Sequence, residues 1–149
     1  YLALRPDSPT LSLVAATAAL GATLLHILSN TAFELLSLSQ SHAAANAETQ
    51  RAVYLAAGEA ALAAYYGTVF QVSYVLGYAA YVALGVAMLR GAAFGRPTAY
   101  LGIATGIAGF GFYLPVVGLA LSVFVVLLVG AWNLLVARHL LRLARAIER

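Results

Sequence analysis

The chain contains no cysteine and no lysine. Without cysteine it has no disulfide scaffold, no thiolate nucleophile, no iron–sulfur ligation and no cysteine-based zinc site. Without lysine, and with no strand adjoining its glycines, it has no phosphate-cradling P-loop. Charge is scarce too: 9% of the 149 residues are charged and 63% are apolar, with a mean hydropathy of +0.91. A soluble domain is about 45–50% apolar and about a quarter charged, so a water-soluble globule of this size would lack the polar surface to cover itself. These figures place the chain in a bilayer.

The gaps between charges locate the crossings, because a spanning helix needs about 20 mostly apolar residues to cross about 30 Å of hydrocarbon. The gap at 8–33 opens with Pro9 near a helix start and predicts a first span at about 10–33. It lies too deep in the chain, and lacks the small-residue cleavage pattern, to be a signal peptide. Residues 97–137 are 41 uncharged positions. As a single helix they would be about 60 Å long, so they must fold back. Pro115, after the glycine- and aromatic-rich run 109–113, marks the turn and predicts spans at 98–114 and 116–136. Gly67-Thr68 divides the middle region into an outer-face helix at 47–66 and a span at 69–89. The expected fold is therefore all-α: one integral membrane helical bundle of four transmembrane helices, with an outer-face segment at 34–66 and an amphipathic C-terminal helix at 137–149.

Arginine placement tests this topology separately, since short cytoplasmic loops carry excess basic residues. With both ends of this chain cytoplasmic, seven of the eight arginines (5, 90, 96, 138, 142, 145 and 149) fall inside and Arg51 alone outside. The outer segment carries Glu34, Glu48 and Glu59 against that one arginine.

Two polar stripes cross the apolar background. Thr23, His26, Asn30 and Glu34 follow steps of three and four, which places them on one face of a helix. Polar groups are costly in lipid, so this face is expected to point into the bundle, as a ligand-binding face or as interhelical hydrogen bonds. Gln71, Tyr74, Tyr78 and Tyr81 repeat the pattern on the second span, lining a pocket for a planar or hydroxylated ligand or simply packing. The three histidines form no His-x-x-x-His or His-Glu-x-x-His pattern, and no metal or cofactor is expected. A weak outer constellation of His26, Glu34, His42 and Glu59 is the only arrangement that would suit a divalent ion.

Gly102, Gly106 and Gly109 let the third span approach another helix closely, within the chain or against a second copy. At the C-terminus Arg138, Arg142, Arg145 and Arg149 share one face, suited to anionic lipid at the cytoplasmic surface. They lack the interleaved aromatics of a nucleic-acid interface, so no nucleic acid is expected.

The stretches FELLSLSQSHAAA (33–45), AAGEAALAAYYGTVFQVSYVLG (56–77), VAMLRGAAFGRPTAYLGI (86–103) and ARHLLRLAR (137–145) resemble a family of small bacterial multi-pass membrane proteins classed only as a domain of unknown function. The resemblance implies a helical protein of the bacterial plasma membrane. Members usually carry further hydrophobic sequence before the matched part, so the resemblance implies an N-terminally incomplete version here. It brings no activity, cofactor or functional residue.

Function is expected to lie in association: a non-catalytic accessory, assembly or structural subunit, as a homo-oligomer or within a larger membrane complex. The alternative is an oligomeric small-molecule transporter or ligand sensor that uses the polar faces of the first two spans. An enzyme is not expected, because no nucleophile, metal motif or paired carboxylate stands beside His26.

Overall fold

The structure, a computed structural model, describes residues 1–147. Arg149, the last member of the predicted arginine face, lies outside them. Six α-helices follow in order: α1 Pro9–Leu28, α2 Ala32–Ala44, α3 Glu48–Tyr65, α4 Thr68–Arg90, α5 Arg96–Gly109 and α6 Gly118–Ile147, with a short 3-10 helix at Phe110–Tyr113. No strand occurs among the described residues. Local chemistry explains most boundaries. Pro9 opens α1 and Pro97 stands in the first turn of α5, where a missing N–H costs nothing. Glu34 and Glu48 sit in the first turns of α2 and α3, and Arg90 in the last turn of α4, each opposing the local end of the helix dipole.

The first predicted span, 10–33, is interrupted. Asn30 is the reason: its Oδ1 accepts the Ala32 N–H at 2.9 Å, offering the backbone a local turn in place of a helical bond. The outer segment therefore begins as a helix, α2, that already includes Phe33 and Glu34. A second break falls at Tyr66 and Gly67, where a Cβ on Gly67 would lie 2.9 Å from the Ala64 carbonyl oxygen.

Three helical stretches, Pro9–Ala44, Glu48–Arg90 and Ala120–Arg145, are long and apolar enough to cross a membrane. Only 17%, 28% and 11% of their most apolar windows are buried inside the protein, so most of that surface needs an apolar surrounding. The stretch predicted at 98–114 is divided instead: α5 has 14 residues, about 21 Å of helix, and the 3-10 turn follows.

The chain packs as two units, residues 1–21 with 75–147 and residues 22–74, the division falling inside α1 and α4. In the first, missing side chains bring helices together. A Cβ on Gly85 of α4 would lie 2.7 Å from the Ala99 carbonyl oxygen of α5. One on Gly106 would lie 2.7 Å from the Tyr78 carbonyl oxygen, and one on Gly109 would run into the Tyr78 ring. Gly102 faces α6, where its Cβ would stand 2.6 Å from Nε1 of Trp132. That indole nitrogen is buried without a hydrogen-bond partner among the described residues. The predicted packing glycines are thus used within the chain. Leu4, Ala87, Met88, Phe94, Ala99 and Trp132 form the core of this unit. From α1 it takes Ser12 and Ala15, both fully buried, after Ser8 just ahead of the helix. The Ser12 hydroxyl donates to the Pro9 carbonyl, whereas the buried Ser8 hydroxyl has no hydrogen-bond partner among the described residues.

The second unit holds the α2–α3 hairpin, in which neither helix has a buried residue. Its turn is tied by Arg51, whose Nε donates to the Ala45 carbonyl at 3.0 Å, and the hydroxyl of Thr31 reaches the Ala61 carbonyl at 3.4 Å. Phe70 is the buried hub of the unit, with Tyr65, Tyr66, Tyr74 and His26 around it at ring separations of 5.4, 5.9, 5.6 and 6.0 Å.

Between the 3-10 turn and α6 the chain reverses at Pro115. Val116 has φ of 70°, and the Val117 N–H bonds the Pro115 carbonyl at 2.8 Å, a γ-turn on a β-branched residue. Val116 is fully exposed, so its side chain offsets none of this strain. Val116→Gly is expected to raise stability by about 1 kcal/mol, measured as the unfolding midpoint in detergent. In the same assay Gly85→Val should cost about 1–3 kcal/mol by overpacking. Gly130→Ala, where an added Cβ meets nothing within 4 Å, should gain about 0.5–1 kcal/mol.

Candidate functional site

The first polar stripe does not point into a packed interior. Thr23 and His26 lie on α1, Asn30 in the break and Glu34 on α2, and all four are exposed. The buried positions of this stretch are the small residues Ala22 and Ser29, whose size lets a neighbouring backbone approach as the longer polar side chains would not. His26 touches the edge of the Phe70 cluster, and Asn30 is occupied in starting α2.

The second stripe divides between the units. In the second unit Gln71 reaches back from the first turn of α4, its Nε2 donating to the Tyr66 carbonyl at 3.3 Å, and Tyr74 packs on Phe70. In the first unit Tyr78 packs on Phe110 at 6.4 Å and against the bare Cα of Gly109. Tyr81 meets Trp132 edge to face at 4.9 Å and hydrogen-bonds the side chain of Asn133. These groups hold junctions and cores.

Arginines gather at one end of the first unit. Leu4, Met88 and Phe94 meet in a single cluster, which brings Arg5, Arg90 and Arg96 to that end, each within two residues of a cluster member. His139 fastens the loop there: its Nδ1 bonds the Leu135 carbonyl at 2.8 Å, and its Nε2 accepts the Gly95 N–H at 3.2 Å. Both contacts are made at once by the neutral tautomer with its proton on Nδ1. Beside and beyond this latch α6 carries Arg138, Arg142 and Arg145, all exposed. Its uncharged part, residues 118–137, is about 30 Å long, one hydrocarbon thickness. The arginine-bearing remainder to residue 147 adds about 15 Å.

A groove of about 340 Å³ lies along the α2–α3 hairpin. Leu35, Leu38, Leu55 and Leu62 give it apolar walls, and Ser39, His42, Tyr54 and Glu59 supply its polar groups, with Gly58 in the lining. Of the four residues in the sequence's outer constellation, His42 and Glu59 line this groove, and His26 and Glu34 do not. Among the described residues no three histidine, aspartate or glutamate side chains come together as a metal site would require. Sequence reasoning passed over Ser39, Tyr54 and Gly58. The signal was present: 35, 38, 39 and 42 share one face of a helix, as do 54, 55, 58, 59 and 62.

Comparison with known proteins adds nothing to this geometry: no family model, curated protein or solved structure matches the chain.

The latch is tested by replacing His139. Phenylalanine keeps the ring but strands the Gly95 N–H, and should cost about 1–2 kcal/mol of stability. Glutamine, which can still present an acceptor, should recover part of that loss. Equal midpoints for wild type and the phenylalanine variant would show that the latch contributes nothing.

Proposed function

We propose that this chain is a non-catalytic accessory, assembly or structural subunit of the bacterial plasma membrane that acts through helix–helix association, in a homo-oligomer or a larger membrane complex. The surface of the second unit carries this reading. Neither α2 nor α3 buries a residue, and the same unit exposes Phe33, Leu36, Val53 and Leu55 as well as the polar Thr23, His26, Asn30 and Glu34. Lipid covers apolar side chains well and polar ones badly, so a surface that mixes both is better matched by another protein.

In this proposal α1, α4, α6 and the α5–3-10 segment are the four crossings. Fourteen α-helical residues and four 3-10 residues reach about 29 Å if collinear, close to the hydrocarbon thickness. The arginine-rich end of the first unit faces the cytoplasm, with anionic headgroups against Arg138, Arg142 and Arg145.

The alternative, an oligomeric transporter or ligand sensor, draws support from the same exposed stripe, because a second copy laid over it would enclose His26 between subunits. Against it stand the second-stripe residues, already engaged in Gln71–Tyr66 and Tyr81–Asn133 hydrogen bonds.

Two measurements test the proposal. Purification in mild detergent with mass spectrometry is expected to yield a stoichiometric partner or a defined homo-oligomer, and a lone monomer would overturn the association reading. For topology, the cysteine-free sequence allows single probes without background. Asn46→Cys should react with an impermeant maleimide on intact cells and Ala93→Cys only after permeabilisation, the opposite pattern excluding the orientation. Should the purified protein prove homo-oligomeric, flux in liposomes equal to empty controls counts against the transporter, while loss of flux on His26→Ala favours it.

A further inference from the structure

The glycines of this chain fall into two classes. Gly85, Gly102, Gly106 and Gly109 each leave room that a neighbouring helix or ring occupies. Gly58 and Gly130 do not: a Cβ at either would meet nothing within 4 Å. A glycine in the middle of a helix weakens it by about 0.5–1 kcal/mol relative to alanine. Gly58 lies in the lining of the α2–α3 groove, and its missing side chain keeps the groove open.

The polar groups of the groove are also without employment in the fold. Ser39, His42, Tyr54 and Glu59 have no hydrogen-bond or ion-pair partner among the described residues. The one basic side chain of the hairpin, Arg51, is turned to the Ala45 carbonyl at the inter-helix turn. Residues 22–74 hold three glutamates against this single arginine, a net charge of −2 with histidine neutral. An apolar trough with a carboxylate, a phenol ring, a hydroxyl and an imidazole has the make-up of a small-molecule site: mostly hydrophobic, with a few polar groups to orient the ligand, and a volume within the usual range.

We propose that the α2–α3 groove binds an amphiphilic amine, a primary ammonium carried on an apolar chain. The Glu59 carboxylate supplies the opposite charge, and the Tyr54 ring offers its negative face to a cation. An ammonium has three donors and no acceptor, which Glu59, the Ser39 hydroxyl and the neutral His42 imidazole can accept. The leucines take the chain. A free long-chain amine and the headgroup of an ethanolamine lipid present the same chemistry.

The test is equilibrium binding of radiolabelled octylammonium, below its micellar concentration, to the purified full-length chain in a neutral detergent. Saturable binding is expected, with octanol, the uncharged molecule of the same chain length, at least about tenfold weaker. Glu59→Gln should weaken octylammonium about tenfold. Glu59 is exposed and unpaired, so this variant retains the fold, which circular dichroism verifies. Gly58→Phe should abolish binding by filling the groove, and Glu34→Gln, an equal loss of charge outside the groove, should leave it unchanged. Displacement by phosphatidylethanolamine but not by phosphatidylcholine identifies the lipid headgroup as the source, and failure of both identifies a free amine. Absence of saturable binding, equal affinity for octanol, or full binding by Glu59→Gln would overturn the proposal.

Discussion

Close approach of helix backbones is the interaction on which the first unit depends. In a chain this apolar, exclusion from water does little to distinguish one helix pairing from another, because the competing helix faces are of similar polarity. Shape has to select instead. Gly85 and Gly106 bring α4 and α5 to distances at which a single extra carbon would strike a carbonyl oxygen. Gly102 admits the Trp132 indole and Gly109 the Tyr78 ring. Removing side chains at these four positions gains dispersion contact along the rest of the interface, where each pair of atoms contributes little and the sum is large.

The second unit follows the opposite rule. Its hairpin helices touch each other, yet neither encloses a residue, and the hairpin's glycine, Gly58, opens space rather than closing it. Order here comes from punctuation: the Asn30 turn, the Arg51–Ala45 tie, the Gln71–Tyr66 bond and the rings around Phe70. Interactions of this kind position elements at low enthalpic cost and leave their outer faces uncommitted. That difference between the units is why association and ligand binding are both sought in residues 22–74, while residues 75–147 with the N-terminal segment form the packed body.

Much of this was legible in the residues themselves because it rests on short-range rules. The reversal at Pro115 and the division at Gly67 follow from backbone chemistry that operates within three or four positions. The small-residue spacing of Gly102 and Gly106 announced close packing but not its partner, since the same spacing serves a neighbour in the chain and a second copy equally well. The break within the first polar stripe was not legible for a related reason. Periodicity says that Thr23, His26, Asn30 and Glu34 would share a face of an unbroken helix, and it is silent on the break that Asn30 itself introduces. The groove was harder still, because its two walls come from different helices and each alone resembles an ordinary amphipathic face.

The sequence by itself determined that this is an all-helical chain with stretches suited to lipid, where its turns fall and which segments carry the arginines. Composition, charge spacing and proline or glycine chemistry act locally and need no knowledge of neighbours. Only the tertiary structure decided which polar groups remain uncommitted. Gln71 and Tyr81 found partners, whereas Ser39, His42, Tyr54 and Glu59 came to line one groove without them. Satisfaction of a hydrogen bond is a property of a pair, and the pairing is set by which helices meet and in what register.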